Sequence, residues 1–523
     1  MNTLTGRRRR MRIIIPAYPA FNIYTHIARR TTALGPICVA TVVHELPGWD
    51  VEVIDENNLA GYGPRGENGG ADHDFLQRLR PADAVGFYGG LTSTIPRLLK
   101  LAGFYRRQGV LTVAGGQHFC AETAAEGLAG GLDYIVLGEG ETTIRELLSV
   151  LDAGGCRADV KGLAYLENGK IVFTPPREPV TDFDRLPLPD FSLVRNARIS
   201  LYPVERIRGC GMDCEFCAVK GKFRSAAPER LLAQISYLLE TRAARHFFIV
   251  DDLFGQQREE TLRFCGLLRD YQREIGRRLD LTVQIRLDKA RDSELLSAMR
   301  QAGINTVCIG FESPIPEELT AMRKHVQPGE MVELARIFHR FGFLVHGMFI
   351  FGYPLESGAD FQLPLRKRIK RYRDFVRRAR IDTLQVLLPV PLPDTELRRR
   401  LQAQNRVYPT VAVGWEYYDG NFPLFEPDPP LRAEDLQAAL RSIMGKFYQL
   451  RYLPVIGWNA LSFSGLLFFL HDIRFGWRQW YRSWRNTWVR FGGWIIFTRW
   501  IRAYEKGDFS RRLLQARAEL KKE

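Results

Sequence analysis

The sequence predicts an α/β protein with two successive parallel β-structures, a doubly wound sheet and then an incomplete barrel, followed by a helical tail. Short apolar runs alternate with helical stretches over residues 11–155 and again over residues 204–400, which is the pattern of repeated βα units. Residues 156–203 between them are rich in Pro and lack long periodic runs, as expected for a linker. The composition, 46% hydrophobic and 25% charged, excludes a largely disordered or fibrous chain.

Five apolar runs in residues 11–155 are predicted to form the buried strands of the first, Rossmann-like sheet. Gly or Pro follows most of them closely, as the tight loops between strands and helices require. Helical patterns such as Ile95–Gln108 and Glu141–Ala153 separate the runs. A doubly wound sheet binds its ligand beyond the carboxyl ends of its strands. The predicted strands are Arg12–Pro16, Val51–Asp55, Ala84–Tyr88, Leu111–Gly115 and Tyr134–Gly138.

Six further apolar runs in residues 204–400 predict a partial (β/α)6 barrel. Residues 401–450 are expected to form an extension that caps the barrel. One helical stretch, Arg366–Arg380, is strongly basic; it is interpreted as a solvated outer face or, alternatively, as a surface for phosphate or a partner. The predicted strands are Val204–Arg208, His246–Asp251, Leu281–Arg286, Thr306–Glu312, Leu344–Phe351 and Thr383–Pro389.

The formal charge of +15 resides at the two ends of the 523-residue chain. Arg7–Arg10 carry four positive charges, and residues 441–523 hold 16 Lys or Arg against five Asp or Glu. The residues between are neutral overall, which argues against a nucleic-acid partner, because such a partner favours a basic patch on a folded domain. The apolar run after Arg10 is too short for a signal peptide. We therefore expect a cytoplasmic protein with reduced cysteines.

Residues 451–523 are predicted to form a basic, Trp-rich helical tail. The run Leu453–Leu470 is largely apolar but, at 18 residues, lies near the lower limit for a membrane span. Four later Trp share one helical stripe flanked by Arg, as in helices that lie at a membrane surface. We expect peripheral contact with an anionic membrane at its inner face; the alternative is that the Trp face packs on the barrel. The four are Trp477, Trp480, Trp484 and Trp488.

The most informative segment is a loop with three cysteines, Cys210, Cys214 and Cys217, directly after the first predicted barrel strand. Three thiolates on one short loop can ligate three irons of a cubane iron–sulfur cluster. Zinc in a structural site normally requires four protein ligands, and no other Cys or His occurs within the next 25 residues. The sequence therefore favours a cluster with one open iron over zinc or a chance grouping.

The Cys-x3-Cys-x2-Cys spacing at the end of a barrel strand resembles the radical S-adenosylmethionine (SAM) superfamily. The resemblance implies a [4Fe-4S] cluster held by Cys210, Cys214 and Cys217, with SAM chelated by the open iron. It further implies cleavage of SAM to a 5′-deoxyadenosyl radical, which abstracts hydrogen from an unactivated carbon. A one-electron reductant such as flavodoxin or ferredoxin would be a partner.

Five residues match positions at which the superfamily binds SAM. Phe216 precedes the third cysteine and would contact the adenine. Asp251 and Asp252, at the end of the second barrel strand, would lie near the methionyl amine. Arg286 would pair with the methionyl carboxylate, and Glu312 in a Gly-x-Glu-Ser element would lie near the ribose. The alternative for the charged residues is structural ion pairing at the barrel mouth.

Three strand ends in the first unit carry Gly or small polar residues, which allow a close backbone approach to a ligand. Together with the order of the two units, they resemble the cobalamin-binding class of the superfamily, so residues 11–155 are expected to bind cobalamin. The Asp-x-His-x-x-Gly motif is missing, since Asp72-His73 does not match it, and no His is assumed to ligate cobalt. The candidates are Thr92, Ser93, Thr94, Gly115, Gly116, Gln117, His118, Gly138 and Glu139.

The resemblance implies a cobalamin-dependent C-methyltransferase that acts on an unactivated carbon of a lipid-like or polycyclic metabolite. One alternative is an oxidative cyclase or oxidoreductase on the same scaffold, without methyl transfer. A weaker alternative is RNA modification, which the neutral first unit disfavours. The sequence identifies no side chain that would itself perform catalysis.

Overall fold

The computed structural model describes residues 8–59, 63–66, 70–219, 221–356, 361–461 and 476–521. The predicted fold class is confirmed: the apolar runs form two parallel sheets, each flanked by helices. The strands of the first sheet are β1 (Arg9–Ile15), β2 (Trp49–Asp55), β3 (Ala84–Tyr88), β4 (Leu111–Gly115), β5 (Tyr134–Val136), β6 (Leu163–Glu167), β7 (Lys170–Phe173) and β8 (Val194–Arg195). Its helices are α1 (Thr25–Ala28), α2 (Leu34–His44), α3 (His73–Leu79), α4 (Ile95–Arg106), α5 (Ala124–Ala129) and α6 (Gly140–Ala153).

The first five strands are parallel and lie in the order β2-β1-β3-β4-β5, the flavodoxin-like arrangement. The strand order reverses between β1 and β3, so the crevice at their carboxyl ends is where such a sheet binds a ligand. Residues 156–203 supply both edges of this sheet. The hairpin β6–β7 pairs antiparallel with β5, and β8 pairs with β2.

The second sheet contains six parallel strands in the order β16-β15-β14-β13-β12-β9. Among the described residues β9 and β16 do not pair, so the barrel is open between them. The strands are β9 (Tyr202–Val204), β12 (His246–Phe254), β13 (Asp280–Ile285), β14 (Ile304–Glu312), β15 (Leu344–Ile350) and β16 (Thr383–Leu387). Its helices are α7 (Pro228–Arg242), α8 (Arg258–Glu274), α9 (Ser293–Gln301), α10 (Pro316–Ala321), α11 (Pro328–Arg340) and α12 (Leu365–Arg378).

The strand predicted at Val204–Arg208 is divided in the structure. It ends at Val204, and the next residues form β10 (Ile207–Arg208), which pairs antiparallel with β11 (Arg224–Ser225). The cause is Asp251, whose carboxylate accepts the backbone N–H groups of Arg206 and Ile207. The chain therefore leaves the sheet before it reaches the cysteines.

Side chains of the barrel strands alternate between two environments, as the period of a β-strand requires. Val283, Ile309 and Phe349 are buried against the helices and belong to the large apolar core. Gln284, Cys308 and His346 occupy the other set of alternating positions on these strands, which faces the inside of the barrel, and are less buried. The inside of the barrel is therefore lined in part by polar groups.

The C-terminal part of the chain returns to the first domain. Residues 408–424, predicted to cap the barrel, contribute Tyr408, Trp415 and Phe422 to the apolar cluster that includes Leu98 and Phe87 of the first sheet. The final helix joins the same cluster. The helices of this region are α13 (Glu396–Ala403), α14 (Thr410–Val413), α15 (Ala433–Phe447), α16 (Tyr452–Leu461), α17 (Gly476–Glu505) and α18 (Phe509–Leu520).

The predicted Trp stripe lies at the start of α17. Trp488 is 42% exposed, whereas Trp500 further along is buried in the barrel core. The side chains of Trp477 and Trp480 lie outside the described part, as do residues 462–470 of the apolar run. Across the residues that the structure describes, every helix is too short or too polar to cross a membrane.

Candidate active site

The three cysteines lie on a loop at the carboxyl end of the barrel, and the end of β12 fixes the start of this loop. Asp251 Oδ1 accepts the N–H groups of Arg206 (2.6 Å) and Ile207 (2.9 Å), and Asp252 Oδ2 accepts the N–H of Gly209 (2.6 Å). Gly209 has φ +76°, in the left-handed region that favours Gly. Both predicted SAM-binding aspartates thus hold the backbone that leads to the cysteines.

Asp251 is fully buried, and its second oxygen, Oδ2, has no hydrogen-bond partner among the described residues. Burial raises the pKa of Asp251 to about 7, although the two backbone N–H groups act in the opposite direction. Burial also raises the pKa of Asp252. The carboxyl groups beneath the loop are therefore easier to protonate than ordinary aspartates.

Ion pairs hold the other side of the cysteine loop. Glu215 accepts hydrogen bonds from Tyr353 OH (2.6 Å) and from Arg400 Nε (2.5 Å). Asp213 pairs with Arg323 at 2.8 Å. Acidic residues between the cysteines thus tie the loop to segments that follow β14, β15 and β16. Sequence reasoning did not select these residues, because charged residues in a loop are ordinarily solvated.

Lys324 is a residue of the site that sequence reasoning missed. Its Nζ lies 3.1 Å from Glu312 Oε1 and also beside the thiol of Cys214. Burial raises the pKa of Cys214, while Lys324 acts to lower it. Burial would lower the pKa of Lys324, but Glu312 and Cys214 outweigh it, so the pKa is raised. Nothing in the sequence around Lys324 distinguishes it from a surface lysine.

Glu312 and Arg286, which were selected for their strand-end positions, lie around the cysteine loop, and Phe216, which was selected because it precedes the third cysteine, lies within it. Glu312 has φ +59° and its carboxylate folds over Gly310. Arg286 Nη1 contacts the sulfur of Met212 in the loop at 3.1 Å, and Nε bonds Asp288 at 3.0 Å. The Phe216 ring packs edge-on against Tyr353, with centroids 6.0 Å apart.

The donor set of this loop fits an iron–sulfur cluster. Cys210, Cys214 and Cys217 are free thiols with partly exposed side chains. Within the described ranges, no three His, Cys, Asp or Glu side chains converge closely enough to hold a single metal ion. A cubane does not require such convergence, because each thiolate binds a different iron. Lys324 supplies a cation beside the anionic ligands.

The predicted cobalamin residues of the first domain occupy the crevice at the ends of β3 and β4. Thr92, Ser93 and Thr94 form a buried turn directly after β3. Gly116 has φ +120°, and a Cβ there would lie 2.6 Å from the backbone of Gly89 and Gly90. Only Gly permits the two loops to approach in this way. Gly115 precedes it at the end of β4, and Gln117 is exposed.

His118 is buried in this crevice and is held by its backbone. Its N–H donates to the Gly89 carbonyl at 3.0 Å, and its carbonyl accepts from Thr123 Oγ1 at 2.7 Å. The ring packs edge-on against Trp415, with centroids 4.9 Å apart. Burial, with a contribution from Arg398, lowers the pKa of His118 to about 4. The imidazole is therefore neutral near pH 7.

Glu139 has a different environment from the other candidates. Its carboxylate lies 2.9 Å from Arg224 Nη1 and accepts the Val180 N–H at 2.6 Å. The neighbouring Glu141 pairs with Arg208 at 2.7 Å. These ion pairs join the first domain to the β10–β11 hairpin that flanks the cysteine loop. Gly138, with φ +89°, turns the chain into this contact.

A second contact closes the opposite side of the crevice. Trp415 Nε1 donates to Glu126 at 2.8 Å, and Arg398 Nε donates to Glu122 at 2.7 Å. Arg398 also lies over the Trp415 ring. Segments that follow β16 thus cover the crevice of the first sheet. The carboxyl ends of the two sheets face each other across these contacts.

Several buried polar atoms at this junction lack a hydrogen-bond partner in the described structure. Such atoms are rare in folded proteins, because burying an unpaired polar group is costly. Their concentration between the first domain and the segment after β16 fits a large polar ligand such as cobalamin, whose amide groups could pair with them. The atoms are Asn22 Nδ2, Ser93 Oγ, His118 Nδ1, Asp419 Oδ2 and Asn421 Oδ1.

Comparison with protein families identifies both domains. The model of the radical SAM superfamily matches residues 204–363, and the model of the B12 binding domain matches residues 23–148. The chain is a B12-binding radical SAM protein. The two domains confirm its expected cofactors, a [4Fe-4S] cluster, SAM and cobalamin.

Three curated relatives of this B12-binding radical SAM protein illustrate its range. It is 26% identical to an uncharacterized methyltransferase of Pyrococcus horikoshii, over 61% of this chain and 67% of the relative. It is 26% identical to the anaerobic magnesium-protoporphyrin IX monomethyl ester cyclase of Rubrivivax gelatinosus, over 66% and 62%. It is 27% identical to the hopanoid C-2 methylase of Rhodopseudomonas palustris, over 46% and 44%. The alignments thus span about two thirds or less of each relative.

Solved structures share the fold of this B12-binding radical SAM protein. The radical SAM methyltransferase TsrM of Kitasatospora setae, with cobalamin and a [4Fe-4S] cluster bound, has a TM-score of 0.64 at 17% identity, over 92% of this chain and 99% of TsrM. The cobalamin-dependent enzyme OxsB with aqua-cobalamin has a TM-score of 0.62 at 14% identity, over 98% and 84%.

Proposed function

We propose that this protein is a cobalamin-dependent radical SAM methyltransferase that methylates an unactivated carbon of a small metabolite. The observation that carries the proposal is that the carboxyl ends of the two sheets face each other. The Glu139–Arg224 pair joins them on one side, at 2.9 Å, and the Glu122–Arg398 contact joins them on the other, at 2.7 Å. A methyl carrier in the first domain and a radical source in the barrel can then reach the same substrate.

The residues of this chain would bind and orient the cofactors. When bound, the cluster and SAM supply a hydrogen-abstracting radical, and cobalamin supplies the methyl group. Cys210, Cys214 and Cys217 would hold the cluster, with Lys324 compensating part of the negative charge of their thiolates. Arg286 is paired with Asp288, but its side chain is 42% exposed, so the Nη1 group that contacts Met212 could instead bind a carboxylate.

The inside of the barrel supplies a surface for the substrate. His346 on β15 contacts Thr383 at 2.7 Å and Gln385 at 3.3 Å, both on β16. Gln385 in turn donates to the hydroxyl of Tyr24 in the first domain, which is close to Asp419. We propose a lipid-like or polycyclic substrate with a polar group that pairs with this row. The hopanoid and protoporphyrin substrates in the names of two relatives support a polycyclic compound.

A second candidate is an oxidative cyclase on the same scaffold. The cyclase of Rubrivivax gelatinosus aligns with 66% of this chain, against 46% for the hopanoid methylase. Both reactions begin with hydrogen abstraction, so the cofactor sites alone do not distinguish them. The fate of the methyl group of SAM does.

The test is anaerobic reconstitution with iron, sulfide and hydroxocobalamin, followed by reaction with methyl-labelled SAM and candidate polycyclic substrates. About four irons per chain and a corrin spectrum are expected. Methyl transfer predicts a labelled product, together with S-adenosylhomocysteine and 5′-deoxyadenosine. 5′-Deoxyadenosine with an unlabelled, oxidised product would instead identify the cyclase. The Cys214→Ala variant is the control and should form no 5′-deoxyadenosine.

A further inference from the structure

A large basic groove lies on the outside of the barrel, between α11, α12, α15 and α17. Its volume is about 1150 Å³. Ten Lys or Arg side chains line it, against three Asp or Glu, so the lining carries an excess of seven positive charges. The strongly basic helix α12 forms one wall. A solvated helix face would not require basic residues from three other helices to converge on it.

Some of these Lys and Arg side chains are bonded to other parts of the protein, and others are available to bind an external anion. Arg373 donates to Ser442 at 2.7 Å, and Arg490 donates to the carbonyl of Ile381 at 2.9 Å while lying over Phe447. In the described part of the chain, by contrast, no carboxylate lies within ion-pair distance of four exposed groups. These are Arg340, Arg366, Lys370 and Lys446.

Exposed apolar side chains adjoin the groove. Arg451 and Tyr452 line it, and the next helix presents Leu453, Val455 and Trp458 to solvent, with Trp458 74% exposed. On α17, Trp488 and Val489 are exposed directly before Arg490, another lining residue. Cations beside exposed Trp and aliphatic side chains are typical of proteins that lie on an anionic membrane, with the aromatic rings at headgroup level.

The position of the groove argues against an electron donor as its occupant. Ile381, Asp382 and Leu384, at the start of β16, line the groove. The cysteine loop lies at the opposite, carboxyl ends of the strands. At ~3.3 Å per residue, the length of the strands separates the two sites. A redox protein in this groove would therefore lie outside the helices of the barrel, with the barrel strands between it and most of the cysteine loop.

We propose that the basic groove and the adjoining apolar residues of α16 and α17 bind the surface of an anionic phospholipid membrane. The cations contact lipid headgroups, while Trp458 and Trp488 enter the interface. The protein then lies on the membrane with the outer, helical side of its barrel, along α12 and α17. This inference does not depend on the reaction that the enzyme performs.

The test is co-sedimentation of the full-length protein with vesicles of phosphatidylglycerol and phosphatidylcholine, or of phosphatidylcholine alone. The groove variant replaces Arg340, Arg366, Lys370 and Lys446 with Gln. Its matched control replaces four exposed cations of the first domain, Lys100, Arg107, Lys161 and Lys170, with Gln. We expect the wild type and the control to bind only the anionic vesicles, less so at high salt, and the groove variant to bind at least about tenfold more weakly.

Two further measurements separate the apolar contribution to membrane binding from the electrostatic one. Trp458→Ala should weaken vesicle binding without changing its salt dependence, because it removes an apolar contact. Soluble tripolyphosphate should compete only weakly with vesicles. Equal vesicle binding by the wild type and the groove variant would overturn the proposal. The proposal would also be overturned if the wild type did not bind the anionic vesicles but bound tripolyphosphate tightly. The same holds if it bound an acidic flavodoxin instead of the vesicles.

Discussion

The ammonium group of Lys324 lies 3.1 Å from the carboxylate of Glu312, at the carboxyl end of β14. This pair is partly buried and lies beside Cys214, so it places a cation next to one predicted ligand of the cluster. A positive charge near a cluster stabilises the reduced state, which carries one more negative charge.

Replacing Lys324 with Met should therefore make the cluster harder to reduce. We expect the reduction potential to fall by on the order of tens of millivolts, and the rate of 5′-deoxyadenosine formation to fall with it. In Lys324→Arg, which keeps the positive charge, the reduction potential of the cluster should stay close to that of the wild type. The exposed Lys367→Met serves as the control. An unchanged potential in Lys324→Met, measured by a redox titration followed by electron paramagnetic resonance, would contradict this role.

Asp251→Asn should stabilise the protein at alkaline pH. Burial raises the pKa of Asp251 to about 7, above the unfolded value of about 3.9. The folded state therefore binds more protons than the unfolded state. The protonated Asp251 contributes its full stability below pH ~4, and this contribution to the free energy of unfolding is lost as the pH rises through about 7. Asn keeps an oxygen for the N–H groups of Arg206 and Ile207 without the charge. The upper limit of the gain is about 4 kcal/mol.

Urea unfolding of the cluster-free protein at pH 5 and pH 8.5 measures this effect. The difference between Asp251→Asn and the wild type should grow with pH, whereas the exposed Asp74→Asn should show no such trend. A constant difference at both pH values would mean that Asp251 is not the titrating group.

Glu139 and Ser93 should affect different properties. The Glu139 carboxylate is paired with Arg224, whereas Ser93 Oγ is buried and unpaired in the crevice. Glu139→Gln should leave the cobalamin dissociation constant within about twofold but reduce product formation, because it weakens the contact between the domains. Ser93→Ala should weaken cobalamin binding about fivefold, the scale of one hydrogen bond. Spectroscopic titration with hydroxocobalamin measures the dissociation constant of each variant. If Glu139→Gln weakened cobalamin binding more than Ser93→Ala did, Glu139 would be a cobalamin-binding residue.

His118 should make the protein sensitive to acid. Burial lowers its pKa to about 4, below the unfolded value of about 6.5. The unfolded state then binds more protons, so stability present above pH ~6.5 is lost as the pH falls towards 4. His118→Gln should remove up to about 3 kcal/mol of this loss. Thermal unfolding between pH 7 and pH 4.5 measures it, with the exposed His246→Gln as the control; parallel curves for His118→Gln and the wild type would refute the assignment.

Local sequence patterns predicted the strands and the cysteine loop because each depends on neighbouring residues. The apolar runs locate β1–β5 and the six strands of the barrel, but not the parallel edge strand β8, and the spacing of Cys210, Cys214 and Cys217 predicts the cluster site. The hairpin Leu163–Phe173 was not recognised within the Pro-rich segment, because strands of four and five residues are too short to show a clear alternation of apolar and polar residues. Such short strands form only when the edge of β5 is available.

Lys324 and the environment of Glu139 could not be predicted for a different reason. Their partners lie far along the chain: Arg224 is 85 residues from Glu139, and Cys214 is 110 residues from Lys324. A lysine in a polar loop and a glutamate at a strand end have no local signature of such pairing. Glu139 meets Arg224 only because the two domains pack together, and Lys324 meets Cys214 only because the barrel folds.

The Trp415 segment and helix α18 have a consequence for biosynthesis. The apolar cluster of the first domain contains Leu98 and Phe87 from its own sheet, but also Trp415, Phe509 and Leu513. The first domain therefore completes its core with residues that the ribosome adds only after the whole barrel. Until then its apolar surface has no permanent cover, and a fragment ending after residue 155 should associate through that surface. Chaperones would therefore encounter the exposed apolar surface of this domain while the barrel is being synthesised.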